Sequence, residues 1–530
     1  MVRVGIIFVF VDYHRLGGRH RGVLQPQIGP LIAALLPDDA DIEIINDTWC
    51  DPAWDRHYDL LFISSVHSDF DRARQIAHYF RRRGARTVYG GNFASMYPAL
   101  CQPYFDAVVI GDPESTVPRL YADFRRGQLR PLYRAEPYAG TRVPTPRVDL
   151  AADQQVLPLG LEATRGCPFS CEFCILTGVG TRFEARPAAN VVRDITAGRA
   201  MLAACGRAAR GNMIVFYDNN IGGNLPYLRE LCTALEPLKI HWGSSATFNV
   251  LAQPALVAAM ARSGCRFLYV GLESFNPATL RDMHKFHNAI HKTRAVIEHC
   301  HAHGILLMSG LMLSPLIDDL EYLESIPQRL RECGLHVPGY ICFETPIPGT
   351  PHFHRLAAEG APAFMPNALL RDFNTYTLVV RPRETTPEEF VAAYRRILQT
   401  IYAPRNRLRK LWHDVPRLLR GGGLFAALLD IIDQYHEDYR PDAGRTYIAG
   451  SDREPPEANL VPLTATDFDS EAHRRAIMEP WRVTDADGRV LPLWLGSQKL
   501  YTAGACASPT VATTAADNSF TAAGESTAAA

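Results

Sequence analysis

Three cysteines, Cys167, Cys171 and Cys174, stand in "RGCPFSCEFC" at C-x-x-x-C-x-x-C spacing. Sulfur donors this close together ask for a soft metal or a redox couple. A structural zinc site closes tetrahedrally on four protein ligands, and no second cysteine pair or histidine cluster accompanies this loop. A redox dithiol would use "CEFC" and leave Cys167 without a role. A [4Fe-4S] cubane held by three thiolates leaves one iron open to chelate a small molecule, which accounts for the missing fourth cysteine. The other nine cysteines are scattered singly, mostly in apolar stretches, and read as reduced core thiols.

The elements that must position the trio alternate strand and helix. Residues 2–10, 42–45, 59–65, 86–91 and 107–114 read as buried strands with helices between them, so a doubly wound parallel sheet is expected with any ligand across its carboxyl ends. Gly17, Gly18, Gly90, Gly91 and Gly111 fall at those ends, where glycine lets backbone approach a ligand or simply makes a tight turn. A Pro-rich link at 138–150 leads to a second alternation, with strands at 159–164, 213–218, 240–246, 267–272, 305–313 and 340–346. Six strand and helix pairs predict an open (β/α)6 barrel, and the three cysteines follow its first strand, on the side where such a barrel does chemistry. The expected class is α/β, with a mainly helical C-terminal extension. The expected units are 1–140, 155–352, 353–495 and a disordered tail at 496–530, whose composition cannot offset the entropy of ordering.

With "CPFSCEFC" the chain resembles the radical S-adenosylmethionine (SAM) superfamily, in which the open iron binds the cofactor's amino and carboxylate groups. The resemblance implies a cluster on Cys167, Cys171 and Cys174, with Phe173 before the last cysteine. "VFYDNNIGGN" stands where the family contacts SAM, pointing to Asp218 and Asn219. "IHWGSSA" offers Ser245, "FLYVGLES" resembles the fourth-strand segment and offers Glu273 and Ser274, and "IPGTP" resembles the loop after the sixth strand. The fifth-strand segment "GLMLSPLIDD", with Met312, lacks the usual glycine-aspartate ending, and Asn219 stands where an acid is frequent. Each of these has a plain alternative as a strand-end cap or loop hydroxyl.

In the first unit "DYHRLG" resembles the cobalamin-binding D-x-H-x-x-G signature, in which Asp12 would orient His14 as lower cobalt ligand and Gly17 would follow. Here "GRHRGVLQPQ" delays the helix that the signature begins at once, so a loop histidine is the alternative. Ser64 and Ser65 in "ISSV", Gly90 and Gly91 in "YGGN", and Gly111 resemble the remaining cobalamin contacts. The order of units resembles cobalamin-dependent radical SAM enzymes, and "DFNTYTLVVRPRETTPEEFVAAYRRILQTIYAP" is similar to the segment after the barrel in the hopanoid C-2 methylase group. Its stripe Phe390, Ala393, Tyr394 and Ile397 predicts a packed helix.

The resemblance implies an enzyme that methylates an unactivated carbon of a small molecule, lipid or natural product, using [4Fe-4S], SAM and cobalamin and an external one-electron reductant such as flavodoxin or ferredoxin. The alternatives are a radical rearrangement, cyclisation or ring contraction with cobalamin as redox partner, and a non-catalytic cobalamin or metal sensor. A formal net charge of -1 gives no reason to expect nucleic acid. No stretch approaches the roughly 20 apolar residues of a membrane span, and a cytoplasmic protein is expected. Residues 421–435 read as an amphipathic helix packing on the body, with no basic face of its own, and "VTDADGRVLPLW" as a hairpin.

Overall fold

Two six-stranded parallel sheets carry the molecule, and each turns the carboxyl ends of its strands toward the predicted site residues. The computed structural model describes residues 1–11, 26–154, 157, 159–286, 292–434, 447–450 and 459–500. The first sheet contains β1 (Val2–Phe8), β2 (Ala40–Asn46), β3 (Leu60–Ser64), β4 (Arg86–Gly90), β5 (Ala107–Ile110) and β6 (Leu132–Arg134), in the order β2-β1-β3-β4-β5-β6. Helices α1 (Ile28–Ala34), α2 (Phe70–Arg81), α3 (Asn92–Met96), α4 (Pro98–Cys101) and α5 (Pro113–Arg125) connect it. Both faces are covered, which is why the strands read as continuous apolar runs. Val4, Ile6, Leu60, Phe62 and Val88 face one core, while Ile7, Leu61, Ile63, Tyr89 and Val108 face the other. The strand order reverses between β1 and β3, which opens a crevice at their carboxyl ends.

The second sheet begins with β7 (Gly160–Leu161), followed by a small antiparallel pair, β8 (Thr164–Arg165) and β9 (Glu184–Ala185), that flanks the cysteine loop and α6 (Ile175–Val179). After α7 (Ala188–Ala204) come β10 (Met213–Phe216), α8 (Leu225–Leu235), β11 (His241–Ala246), α9 (Phe248–Leu251), α10 (Pro254–Arg262) and β12 (Cys265–Glu273). Then follow α11 (Pro277–Asp282), α12 (Thr293–Ala302), β13 (Leu306–Leu313), α13 (Leu320–Glu332), β14 (Tyr340–Phe343) and α14 (Pro351–Ala357). Spatial order equals chain order, β7-β10-β11-β12-β13-β14, and every pairing is parallel. The end strands do not pair with each other, so the barrel is open, with six strands as predicted.

The remaining elements are β15 (Thr377–Leu378), α15 (Pro387–Ile401), α16 (Pro404–Arg420), α17 (Leu424–Gln434), β16 (Tyr447–Ile448) and α18 (Glu471–Met478). A capping box, Thr386 with Glu389, starts α15, and Pro387 occupies its first turn. Its predicted stripe, Phe390, Ala393, Tyr394 and Ile397, is buried, and the Tyr394 hydroxyl donates to Ile341 O of the outer strand β14 at 2.6 Å. Helix α17 lays Ala426 and Ala427 on Leu306 and Leu418, leaving Leu424, Leu428 and Ile432 exposed. The Asp-Gly hairpin forms: Asp485 N–H donates to Arg489 O at 2.9 Å, with Gly488 at φ +91°.

The C-terminal segment then returns to the first sheet. Arg74 of α2, 1% exposed, donates to Ala476 O at 2.5 Å and to Glu479 O. Residues 496–500, placed in the tail by composition, are tied down: Gln498 N–H donates to Met96 O at 2.8 Å and Leu500 N–H to Val179 O at 2.7 Å. Residues 501–530 lie outside the described residues. Among those described, no helix is long and apolar enough to cross a membrane.

Tyr394→Phe should cost about 1–2 kcal/mol by leaving Ile341 O without its donor, and Tyr394→Ala about 3–5 kcal/mol through the added cavity, read as shifts of the urea unfolding midpoint.

Candidate active site

The cysteine loop is shaped by backbone before it is shaped by sulfur. Gly166 sits at φ +79°, and a side chain there would strike Arg182 O, so the turn into Cys167 requires glycine. Cys174 N–H donates to Cys171 O at 3.1 Å, and Cys174 O accepts from Thr177 N–H and Gly178 N–H as α6 begins. Cys171 is buried; Cys167 and Cys174 are half-buried. The thiols feel one another electrostatically, yet their sulfurs are not gathered as a set within 4.8 Å; among the described residues the group of three donors that is so gathered lies elsewhere. Burial pushes all three thiols up, Cys171 to about 11, so bound metal would have to displace their protons.

Around the loop the structure assembles some predicted residues and not others. Glu273 ends β12 after a bulge, at φ +65°, a conformation that a non-glycine residue holds only under constraint. It is 5% exposed, one carboxylate oxygen pairs with Lys285, and Oε2 has no partner. Lys285 also lies 5.9 Å above the Phe173 ring, and its charge pulls the three raised thiols downward. Phe173 in turn packs with Met312, Met283, Cys342 and Tyr340. Lys285 is missing from the sequence reading because nothing local distinguishes a lysine in "HKFHN" from a surface lysine.

Asp218 is buried against the backbone just before the cysteine loop. Its oxygens accept from Ala163 N–H at 2.8 Å, Thr164 N–H at 3.0 Å and Thr164 Oγ1 at 3.0 Å, so it fixes the backbone that leads to Cys167. Burial raises it to about 7 against these hydrogen bonds. Asn219 is exposed, whereas its neighbour Asn220, 1% exposed, places Nδ2 4.0 Å from Cys167 Sγ. "DNN" left that choice open. Ser274 accepts from Asn276 N–H at 3.0 Å and meets the Tyr322 hydroxyl at 2.9 Å, which builds the turn into α11. Ser245 is half-buried, its carbonyl accepting from Ile221 N–H at 3.0 Å.

At the carboxyl ends of the first sheet a cavity of about 280 Å³ is lined by Ser64, Gly90, Gly91, Gly111 and Val109, and by Arg165 from beside the cysteine loop. Strand alternation separates the predicted serine pair: Ser65 Oγ hydrogen-bonds the Tyr89 hydroxyl at 2.8 Å instead. Gly91 is at φ +113°. Asp12, His14, Gly17 and Gly18 lie outside the described residues. Arg165 joins the two sheets. It donates to Glu162 at 2.7 Å and Glu114 at 2.8 Å, pairs with Asp112 at 2.9 Å, and stacks 4.0 Å from the Tyr138 ring.

Residues 161–326 match the family model described as Radical SAM superfamily. The chain is 25% identical over 400 residues to bacteriochlorophyllide d C-8(2)-methyltransferase of Chlorobaculum tepidum, covering 71% of this chain and 87% of that one. It is 25% identical to hopanoid C-2 methylase of Rhodopseudomonas palustris, covering 64% and 65%. In fold it is similar to the radical S-adenosylmethionine methyltransferase TsrM from Kitasatospora setae, with a TM-score of 0.52, 18% identity and coverage of 69% and 81%. An open parallel barrel with this cysteine loop and this family match is a radical SAM domain. That domain, residues 161–326, follows a doubly wound α/β sheet, and the relatives named above are methyltransferases.

Arg165→Met would leave three carboxylates facing one another and should cost about 3–5 kcal/mol in urea unfolding. Burial raises Asp112 to about 6, against the pull of Arg165 and with smaller help from Glu114 and Glu162. The folded state therefore keeps a proton that the unfolded state releases near 3.8, and stability should fall as pH rises from about 4 to about 6. Asp112→Asn should flatten that slope in unfolding curves taken across this window.

Proposed function

We propose that the protein is a cobalamin-dependent radical SAM C-methyltransferase acting on an unactivated carbon of a small molecule or lipid. The observation that carries the proposal is the cysteine trio at C-x-x-x-C-x-x-C spacing, at the mouth of an open barrel next to a glycine-lined cavity of a second parallel sheet. A carbon without acidity cannot be made nucleophilic by a base at neutral pH, so its hydrogen must leave as an atom. When bound, cluster and SAM would supply a 5'-deoxyadenosyl radical and methylcobalamin a methyl group.

On this reading residues 155–352 form the radical core and 1–140 the cobalamin domain. Cys167, Cys171 and Cys174 hold the cluster, and the Asn220 amide directs an N–H toward Cys167 sulfur, which tunes the cluster's potential. Asp218 is a positioning residue: it holds residues 163–164 so that the loop leaves β7 at a fixed angle. The unpartnered Glu273 Oε2 fits a donor on SAM, an amine or a ribose hydroxyl, and Phe173 and Met312 offer it an apolar wall. The backbone at Gly90, Gly91 and Gly111 and the hydroxyl of Ser64 fit a cobalamin. A cavity of about 280 Å³ lies just below the roughly 300–1,000 Å³ usual for ligands, so these residues would hold only an appended part of that cofactor. Arg165 holds the two mouths together. The reductant is a small one-electron carrier such as flavodoxin or ferredoxin. The relatives' substrates, a bacteriochlorophyllide and a hopanoid, point to a large, mainly apolar substrate.

The test is anaerobic reconstitution with iron, sulfide and cobalamin, followed by reductant, SAM and candidate apolar substrates. The expected product has gained one CH₂ group, and Cys167→Ala, Cys171→Ala and Cys174→Ala together should abolish both iron binding and formation of 5'-deoxyadenosine. An isobaric or dehydrogenated product would replace methylation by rearrangement. Unchanged SAM cleavage in the triple variant would sink the assignment.

A further inference from the structure

Three side chains from three elements converge beside the cysteine loop: Asp282 at the end of α11, Glu344 just past β14, and His352 in the first turn of α14. One donor atom of each lies within 4.8 Å of the other two. Glu344 is 2% exposed and His352 1%. Neither ring nitrogen of His352 makes a hydrogen bond, and the Glu344 carboxylate has no well-aligned partner, only the Ser314 hydroxyl beside it. Their nearest approach, Glu344 Oε1 to His352 Nδ1, is 3.5 Å. Buried polar atoms are almost always satisfied, and these, on two touching side chains, call for a missing group between them.

A shared ion supplies it. Nitrogen and oxygen donors at about 2.1 Å from a tetrahedral centre lie about 3.4 Å from one another, against the 3.5 Å observed. We propose that Asp282, Glu344 and His352 bind a divalent first-row cation such as Zn²⁺ or Mn²⁺, with remaining positions open to Ser314 and water. One imidazole with two carboxylates is a suitable donor set for such ions. Burial already holds His352 down to about 4, the neutral form that a ligand must have, and Glu344 up to about 8, so the ion takes the place of the Glu344 proton. The Arg355 guanidinium, 2.9 Å from Asp282 Oδ2, also donates to Glu172 at 2.8 Å, which spreads its charge between the site and the cysteine loop.

The site braces that loop. Glu172 lies between Cys171 and Cys174, its N–H donates to Met283 O at 3.3 Å beside α11, and its carbonyl accepts from His352 N–H at 3.2 Å. An ion joining Asp282, Glu344 and His352 ties both contacts to the end of β14.

The probe is Mn²⁺, which avoids thiolates, titrated into the full-length protein while the free ion is counted by its EPR signal. Uptake of about one Mn²⁺ per chain is expected, displaced by Zn²⁺, retained in the triple cysteine variant, and weakened at least tenfold by Glu344→Gln or His352→Ala. No uptake by the unaltered protein, or equal uptake by these variants, overturns the proposal. Should either variant fail to fold by circular dichroism, Asp282→Asn decides in the same way, since that side chain is 27% exposed and tolerates change. The readout is ion uptake, so the outcome stands whether or not methyl transfer is found.

Discussion

One guanidinium, that of Arg165, holds the architecture in functional register. It lies two residues before the first cysteine and is bound by Asp112 and Glu114 from the end of the first sheet and by Glu162 from the start of the second. The apolar cluster of Tyr89, Phe93 and Met96 continues into Val179, Leu316 and Phe353 of the second unit, but apolar contact is non-directional. A charge shared among three acids of opposite sign sets the orientation in which the sheets present their carboxyl ends to each other, because any rotation would leave carboxylates buried without their cation. Tyr138 stacked on the same guanidinium fixes its plane. The reading of the chain as a two-cofactor enzyme depends on this contact, since neither mouth alone could bring a methyl donor to a substrate radical.

The approach to the cysteines follows a second rule: polar side chains define backbone, and apolar ones fill the space behind it. Asp218 spends its carboxylate on the peptides of residues 163 and 164. Asn220 and Lys285 then stand toward the sulfurs, and Phe173 with Met312 forms the dry side. The strained Glu273 is kept in place by its pairing with Lys285. Both residues can stay buried only as a pair, which links the end of β12 to the residues after α11.

The barrel strands, the first five strands of the first sheet and the cysteine loop were legible because their signals are local, whereas β6, three residues long, was not read. Continuous β-branched runs, glycines at strand ends and a three-residue motif survive in one dimension. All six barrel strands and the Phe390–Ile397 stripe follow from periodicity alone. Arg165, Lys285, Glu344 and His352 carry no such signature, since each matters through a partner many residues away. Asn219 against Asn220 and Ser64 against Ser65 show a finer limit. Adjacent identical or similar residues point to opposite sides, and a shift of one position in a strand or turn cannot be seen until the register is known.

Helix α2 carries a demand that the rest of its own sheet cannot meet. Arg72 and Arg74, His78 and, nearby, Tyr97 donate to or meet carbonyls of Asn459, Ala476 and Glu479, Asp467, and Trp494. Those acceptors are synthesised some 400 residues later. Domains emerging from the ribosome usually fold N-terminal first. These buried donors therefore have their acceptors only once residues 459–494 are in place, so a shortened chain ending before them would leave the donors of α2 unpaired.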